Sequence, residues 1–148
     1  MDDHPITKIV FLDIDGVLNN AKLRWREGMD AIDFTCVKIL GDIIQATGAK
    51  IVIHSTWRVG FSDINSLKDA FSKFLPPLII DSIIDMTLDL PDGKAAEIRE
   101  WIAENDFGGK FAVIDDDEIH IENFFRTNDN KFGLTWSIAK QIIEHLNT

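Results

Sequence analysis

The apolar run Ile9-Val10-Phe11-Leu12 ends directly on Asp13, with Asp15 and Gly16 close behind. A short apolar run closed by acid and glycine reads as a buried strand delivering carboxylates to its C-terminal end. In open α/β sheets, ligands bind at that end. Side chains two apart leave a strand on the same side, so the spacing of Asp13 and Asp15 can bring two carboxylates to one reacting group. The plainer reading of D-x-D-G is a turn that uses Asp and Gly for local geometry.

The rest of the chain repeats this opening. Ile51–Ile53 is a second buried strand, ending in His54-Ser55-Thr56-Trp57-Arg58, and Phe111–Ile114 is a third, ending in Asp115-Asp116-Asp117. Between them lie helical spacings. Phe34, Val37, Leu40 and Ile44 mark one helix, with Gly48 as its stop, and Ile64, Leu67, Phe71 and Leu75 mark another, closed by Pro76-Pro77. Leu78–Ile84 is aliphatic and ambiguous, with room for a short strand. Asp92 is the expected N-cap of a helix carrying Ala95, Ile98 and Trp101, which Gly108-Gly109 end. Asn123–Thr127 reads as a further short strand, and Ile138, Ile142 and Leu146 as a final helix. Strands alternating with helices predict an α/β fold, a parallel sheet flanked by helices. At 148 residues without repeat or linker, one domain spanning 1–148 is expected.

If the three strands are parallel, their polar ends converge on one edge of the sheet. A hydroxyl at the second, from Ser55 or Thr56, can hydrogen-bond a phosphoryl oxygen, or simply cap a helix. Arg58 either binds phosphate or pairs with a carboxylate. His54 reads as structural or solvent-facing rather than as a catalytic base, and Trp57 as a packing residue. Lys94 falls at the start of a helix, where the macrodipole disfavours a cation, so an anion nearby would explain it. Consecutive acids at Asp115-Asp116-Asp117 repel one another and suit a hard cation such as Mg²⁺, with Asp117 read as a solvent-facing loop acid.

The net charge is −10 and the pI about 4.7, which disfavours broad electrostatic binding to nucleic acid and leaves only a local basic patch for it. Lys22, Arg24, Trp25 and Arg26 form such a candidate patch just after the first motif, or else an ordinary mixed-charge loop. The one cysteine, Cys36, permits no internal disulfide and fits a reducing compartment. The acidic opening MDDHPITK resembles neither a signal nor a transit peptide, and no apolar run approaches the roughly 18–20 residues that span a bilayer. A soluble, cytoplasmic protein is expected.

The segments FLDIDGVLNN, IVIHSTWR, GKAAEIREWI and FAVIDDD resemble, in that order, the four signature regions of the haloacid dehalogenase (HAD) superfamily of phosphohydrolases. STWR, the EI-x-x-W helix, IDDD, and GLT before the last helix are similar to a subgroup, the HAD domain associated with Swiss Army Knife RNA repair proteins. The resemblance implies a Rossmann-like sheet and a Mg²⁺-dependent phosphatase. It implies Asp13 as nucleophile, forming an aspartyl-phosphate, and Asp15 as the acid that protonates the leaving group and then activates water. Ser55 would hydrogen-bond the phosphoryl and Lys94 would orient the nucleophile. Asp13, Asp115, Asp116 and the backbone carbonyl of Asp15 would hold the metal. An acid at Asp15 speaks against dehalogenase chemistry.

Many members carry a cap domain. Here the 20–50 interval has room for a loop and one helix, and the 59–93 interval for one helix and a short strand or loop, so a capless or minimally capped site is expected. An open site suits a phosphorylated macromolecule, a nucleic-acid end, or a partner that closes it. Two rival functions remain at this level: phosphotransfer to an acceptor other than water, and a non-catalytic receiver-like domain binding phosphate and Mg²⁺. Receiver domains carry the phosphorylated Asp on a middle strand, and here that strand ends in Ser55-Thr56.

Overall fold

The computed structural model describes residues 5–148; the leader reading rests partly on residues 1–4, which lie outside the described residues. Five strands form one parallel sheet: β1 (Lys8–Leu12), β2 (Lys50–Ile53), β3 (Ile83–Met86), β4 (Lys110–Asp115) and β5 (Phe124–Arg126), in the order β3-β2-β1-β4-β5. Helices α1 (Ala21–Glu27), α2 (Phe34–Thr47), α3 (Ile64–Phe71), α4 (Pro77–Ser82), α5 (Lys94–Glu104) and α6 (Trp136–Asn147) connect and flank them. This is the parallel sheet flanked by helices that the alternating pattern predicts, in the Rossmann-like form that the resemblance implies.

The β1 strand is central and wholly apolar because both of its faces are covered. Alternation sends Val10 and Leu12 to one side, where α2 and α6 bury Leu40, Ile43, Ala139 and Ile142 against them. Ile9 and Phe11 go to the other side, where α5 supplies Ile98 and Trp101. Phe11 meets the rings of Trp101 and Phe111 edge-on, with centroids 5.6 and 5.7 Å away, the arrangement that aromatic quadrupoles favour.

Register decides where the polar strand ends fall. Leu12 pairs with Ile53 on one side and Ile114 on the other. The ladder runs one step further: the Asp13 N–H donates to the Ile114 carbonyl at 3.1 Å, and the His54 N–H to the Leu12 carbonyl at 3.0 Å. Asp13, His54 and Asp115 therefore stand abreast at the C-terminal edge.

Several local expectations are corrected. The α5 helix is capped by Gly93, at φ +95°, with no side-chain cap, so Asp92 does not serve. Pro77 opens a helix instead of only closing one, because proline's fixed φ and missing N–H suit a first helical turn. The Leu78–Ile84 stretch thus divides into the rest of α4 and the start of β3. The 20–50 interval holds two helices, not one, since α1 is added before α2, and the 59–93 interval holds α3 and α4 as well as β3. None of these insertions forms a separate cap domain among the described residues.

Candidate active site

Beyond β1 the chain makes one helical turn, in which the Val17 and Leu18 N–H groups donate to the Ile14 carbonyl at 3.1 and 2.8 Å. Gly16 sits inside this turn at φ +82°, and a Cβ there would overlap the carboxyl carbon of Asp116. Backbone conformation and close approach both demand glycine. Buried Asn19 and Thr127 hold the turn: the Gly16 N–H donates to Asn19 Oδ1 at 2.8 Å, and Thr127 Oγ1 donates to the Gly16 carbonyl at 2.6 Å. Asn19 Nδ2 also donates to Asp15 Oδ1 at 3.0 Å, so an asparagine orients the second carboxylate. Neither Asn19 nor Thr127 stood out in sequence; an uncharged polar residue carries no signal until its partner is known.

Carboxylate oxygens of Asp13, Asp115 and Asp116 lie within 4.8 Å of one another. Burial, reinforced by the charge of Asp115, pushes the Asp13 carboxyl up to about 8, against the opposing pull of Lys94 and the Ile14 N–H. Burial also raises Asp116, with Asp115 and Asp117 adding to it. For Asp115, burial is outweighed by His54 and Lys94, and its carboxyl is held below the ordinary range. Three crowded acids, all offering oxygen and two of them resisting ionisation, are a donor set that fits a hard divalent cation. The Asp15 carboxylate stands outside this trio and faces Asn19.

Lys94 opens α5, and its Nζ reaches Asp115 Oδ2 at 2.9 Å, Asp117 Oδ2 at 3.0 Å and Asp13 Oδ2 at 3.8 Å. Burial works against its charge, but Asp13 and Asp115 outweigh that and raise its pKa. The anion that explains a lysine at a helix start is thus the acid cluster. Asp117 is exposed as expected, yet it shares this lysine, and its N–H donates to Asp115 Oδ1 at 2.9 Å.

Ser55 is fully buried beside these groups. Its Oγ accepts the Trp57 N–H at 3.1 Å, capping the 3-10 turn Thr56–Arg58, and its own proton stays available to donate. Thr56 is exposed. His54 is fully buried, with Nε2 3.2 Å from Asp115 Oδ2 but off the ideal hydrogen-bond direction, and with no partner at Nδ1.

Arg58 departs from the phosphate-binding alternative. All five guanidinium N–H groups are engaged: Nε with the Thr87 carbonyl at 2.8 Å, Nη1 with the carbonyls of His54 (3.2 Å) and Ser55 (2.6 Å), and Nη2 with the Leu88 carbonyl (3.2 Å) and Glu97 Oε2 (2.9 Å). No donor is left for a ligand. Arg58 instead fastens the end of β2 to the loop after β3 and to α5, the elements that carry Ser55 and Lys94. Glu97, quoted in the sequence only within the EI-x-x-W cue and given no role there, completes the tie and also accepts the Leu90 N–H at 3.0 Å.

The basic segment divides likewise. Arg24 forms a bidentate pair with Asp129, both contacts at 2.8 Å, and donates to Asn19 Oδ1 at 2.7 Å. Lys22, Trp25 and Arg26 stay exposed on the outer face of α1, with Trp25 at 92%.

A family model described as the HAD domain in Swiss Army Knife RNA repair proteins matches residues 9–138. The chain belongs to that family. The match takes in all four strand-end and helix-start clusters just described. Neither the curated proteins nor the solved structures give a match. That family is one of HAD-superfamily enzymes, and the acidic cluster described above can hold a metal. Among the described residues, no helix is long and apolar enough to cross a membrane.

Proposed function

We propose that this HAD domain hydrolyses phosphate monoesters through a covalent intermediate on Asp13. The observation that carries the reading is the placement of Lys94 and two further acids around a buried carboxylate at the end of the central strand. Asp13, Asp115, Asp116 and the Asp15 carbonyl would hold Mg²⁺, which when bound supplies positive charge for the carboxylates and for the phosphoryl oxygens.

The chain's own groups then divide the work. An Asp13 carboxylate oxygen attacks phosphorus, and the bond from phosphorus to the leaving oxygen breaks. Asp15 gives that oxygen its proton, so the leaving group departs as a neutral alcohol. Asp15, now ionised, takes a proton from water; the water oxygen attacks phosphorus and the bond to Asp13 breaks, releasing phosphate and restoring the carboxylate. Asn19 keeps Asp15 directed through both steps. The Ser55 hydroxyl donates to a phosphoryl oxygen, and Lys94 offsets the charge that builds up in the transition state.

The substrate class we propose is the phosphorylated end of a nucleic acid. The family description, with its RNA repair proteins, and the uncapped site both support it. The chemistry is tested by assaying Asp13→Asn for Mg²⁺-dependent hydrolysis of an aryl phosphate. Loss of turnover with the fold intact is expected, and retained turnover would overturn the nucleophile.

A further inference from the structure

Beside the acid cluster lies a cavity of about 660 Å³, lined in part by Asp116, Asp117, Arg126, Thr127 and Asp129. That is well within the size range of small-molecule sites and more space than one phosphoryl group needs. Three of the lining residues are acids, which would repel a phosphorylated substrate. Their charges are nevertheless spoken for. Asp117 is paired with Lys94 at 3.0 Å, and Asp129 with Arg24 at 2.8 Å. Asp116 belongs to the trio that suits a cation.

Arg126 is the exception. It is exposed, and its Nε donates to the Asp116 carbonyl at 2.9 Å, a neutral partner. Among the described residues it forms no ion pair. Its backbone is fixed by the sheet: Arg126 is the register partner of Asp115, and the next residue's N–H donates to the Asp115 carbonyl at 2.9 Å. A guanidinium held on a strand beside the reacting edge, with its charge unspent, matches a phosphate. On a chain of net charge −10, an anionic polymer needs such a local cation to approach at all.

We propose that Arg126 binds a second anionic group of the substrate, the phosphodiester adjacent to a terminal phosphate monoester on an oligonucleotide. This inference rests on the phosphomonoesterase reading. It makes Arg126 the residue that separates a polymer end from a mononucleotide.

The test compares kcat/KM for a nucleoside monophosphate, a nucleoside 3′,5′-bisphosphate, and dinucleotides phosphorylated at either end. In the wild-type protein one phosphorylated dinucleotide should exceed the monophosphate by about tenfold or more, with a steeper salt dependence. Arg126→Gln should collapse that ratio towards one, and Arg126→Lys should recover part of it. A ratio untouched by Arg126→Gln overturns the assignment, because a residue that merely braces the Asp116 loop would lower both substrates together. A bisphosphate preferred over both dinucleotides overturns the polymer-end assignment. Should nothing be turned over, the hydrolase reading fails on its own account. The Arg126 assignment is then decided by equilibrium binding of the labelled dinucleotides to wild-type and Arg126→Gln protein, with equal affinity overturning it.

Discussion

Two buried charge clusters lie side by side at this sheet edge, and they are built on opposite principles. Arg58 and Glu97 form one. Each is 5% exposed, and every guanidinium donor has an acceptor. Asp13, Asp115 and Asp116 form the other, where like charges crowd and Asp13 is driven up to about 8 by burial and by Asp115. Buried charge is tolerated when paired and hydrogen-bonded, and costly when it is not. The satisfied cluster is therefore scaffold. The crowded one is a donor set that can hold a metal ion.

The largest effect should come from removing the negative charge at the centre of the crowded cluster. Asp13→Asn is expected to cut aryl phosphate turnover by roughly 10³-fold or more, the scale on which loss of a nucleophile acts. The same substitution removes a carboxylate that is hard to ionise, so the metal-free protein should become more stable, by about 2 kcal/mol at neutral pH. Thermal melts in chelator check this. A variant both inactive and less stable would mean that the crowding is not there.

The satisfied cluster should respond in the opposite sense. Arg58→Ala leaves Glu97 buried without its partner, and a stability loss of about 3–5 kcal/mol follows, read by urea denaturation. Arg58→Lys keeps the charge but cannot reach five acceptors, and it should lose a large part of the same stability. If either substitution spared stability and instead weakened phosphate binding alone, the two clusters would have to change places.

How much of this contrast could be read in the sequence follows from where the information lies. The β1, β2 and β4 strands are uninterrupted apolar runs because both faces of the sheet are covered, and such runs advertise themselves. Their polar ends converge because the sheet is parallel, so Asp13, Ser55 and Asp115 were legible together. Lys94 was legible too, as a cation placed against the helix dipole. Arg58 was legible only as one of two alternatives. Choosing between them needed Thr87, Leu88 and Glu97, which reach it by folding and lie about 30 to 40 positions away. The α1 helix was missed for a related reason. Its seven residues are marginal alone, and it is held by the Asn20 cap, the buried Leu23 and the Arg24–Asp129 pair. Pro77 misled because a breaker and a starter look alike until the backbone is seen, and Asp92 because the helix starts on Gly93 with no side-chain cap.

A pH series sharpens the comparison further. The folded-state pKa of Asp13, about 8, lies above its ordinary value of 3.8. Its contribution to stability is therefore fully present below 3.8 and is lost as pH rises towards 8. Asp116, also raised, acts in the same direction. Asp115 is held low and Lys94 high, so their contributions change outside that interval. Without metal, stability should fall between pH 5 and 8 by about 1–3 kcal/mol. Saturating Mg²⁺ should flatten the decline, and Asp13→Asn should remove most of it. A metal-insensitive decline would locate the titration elsewhere.

The smallest expected effect is at His54, which belongs to neither cluster wholly. It is fully buried, its Nδ1 has no partner, and its Nε2 stands 3.2 Å from Asp115 Oδ2. If Asp115 holds a metal as proposed, a group in that position orients the carboxylate without touching the metal, and losing such support typically weakens metal affinity by about tenfold. His54→Phe keeps the bulk and removes the donor; His54→Gln keeps a donor on a shorter, flexible arm. Calorimetric titration with Mn²⁺ should show the affinity fall in His54→Phe and partly return in His54→Gln. Thermal melts in chelator separate this from packing, since a purely structural histidine would move the melting temperature and leave the Mn²⁺ affinity in place. That outcome would assign His54 to the satisfied scaffold and leave Lys94 and the Asp117 N–H as the groups that steer Asp115.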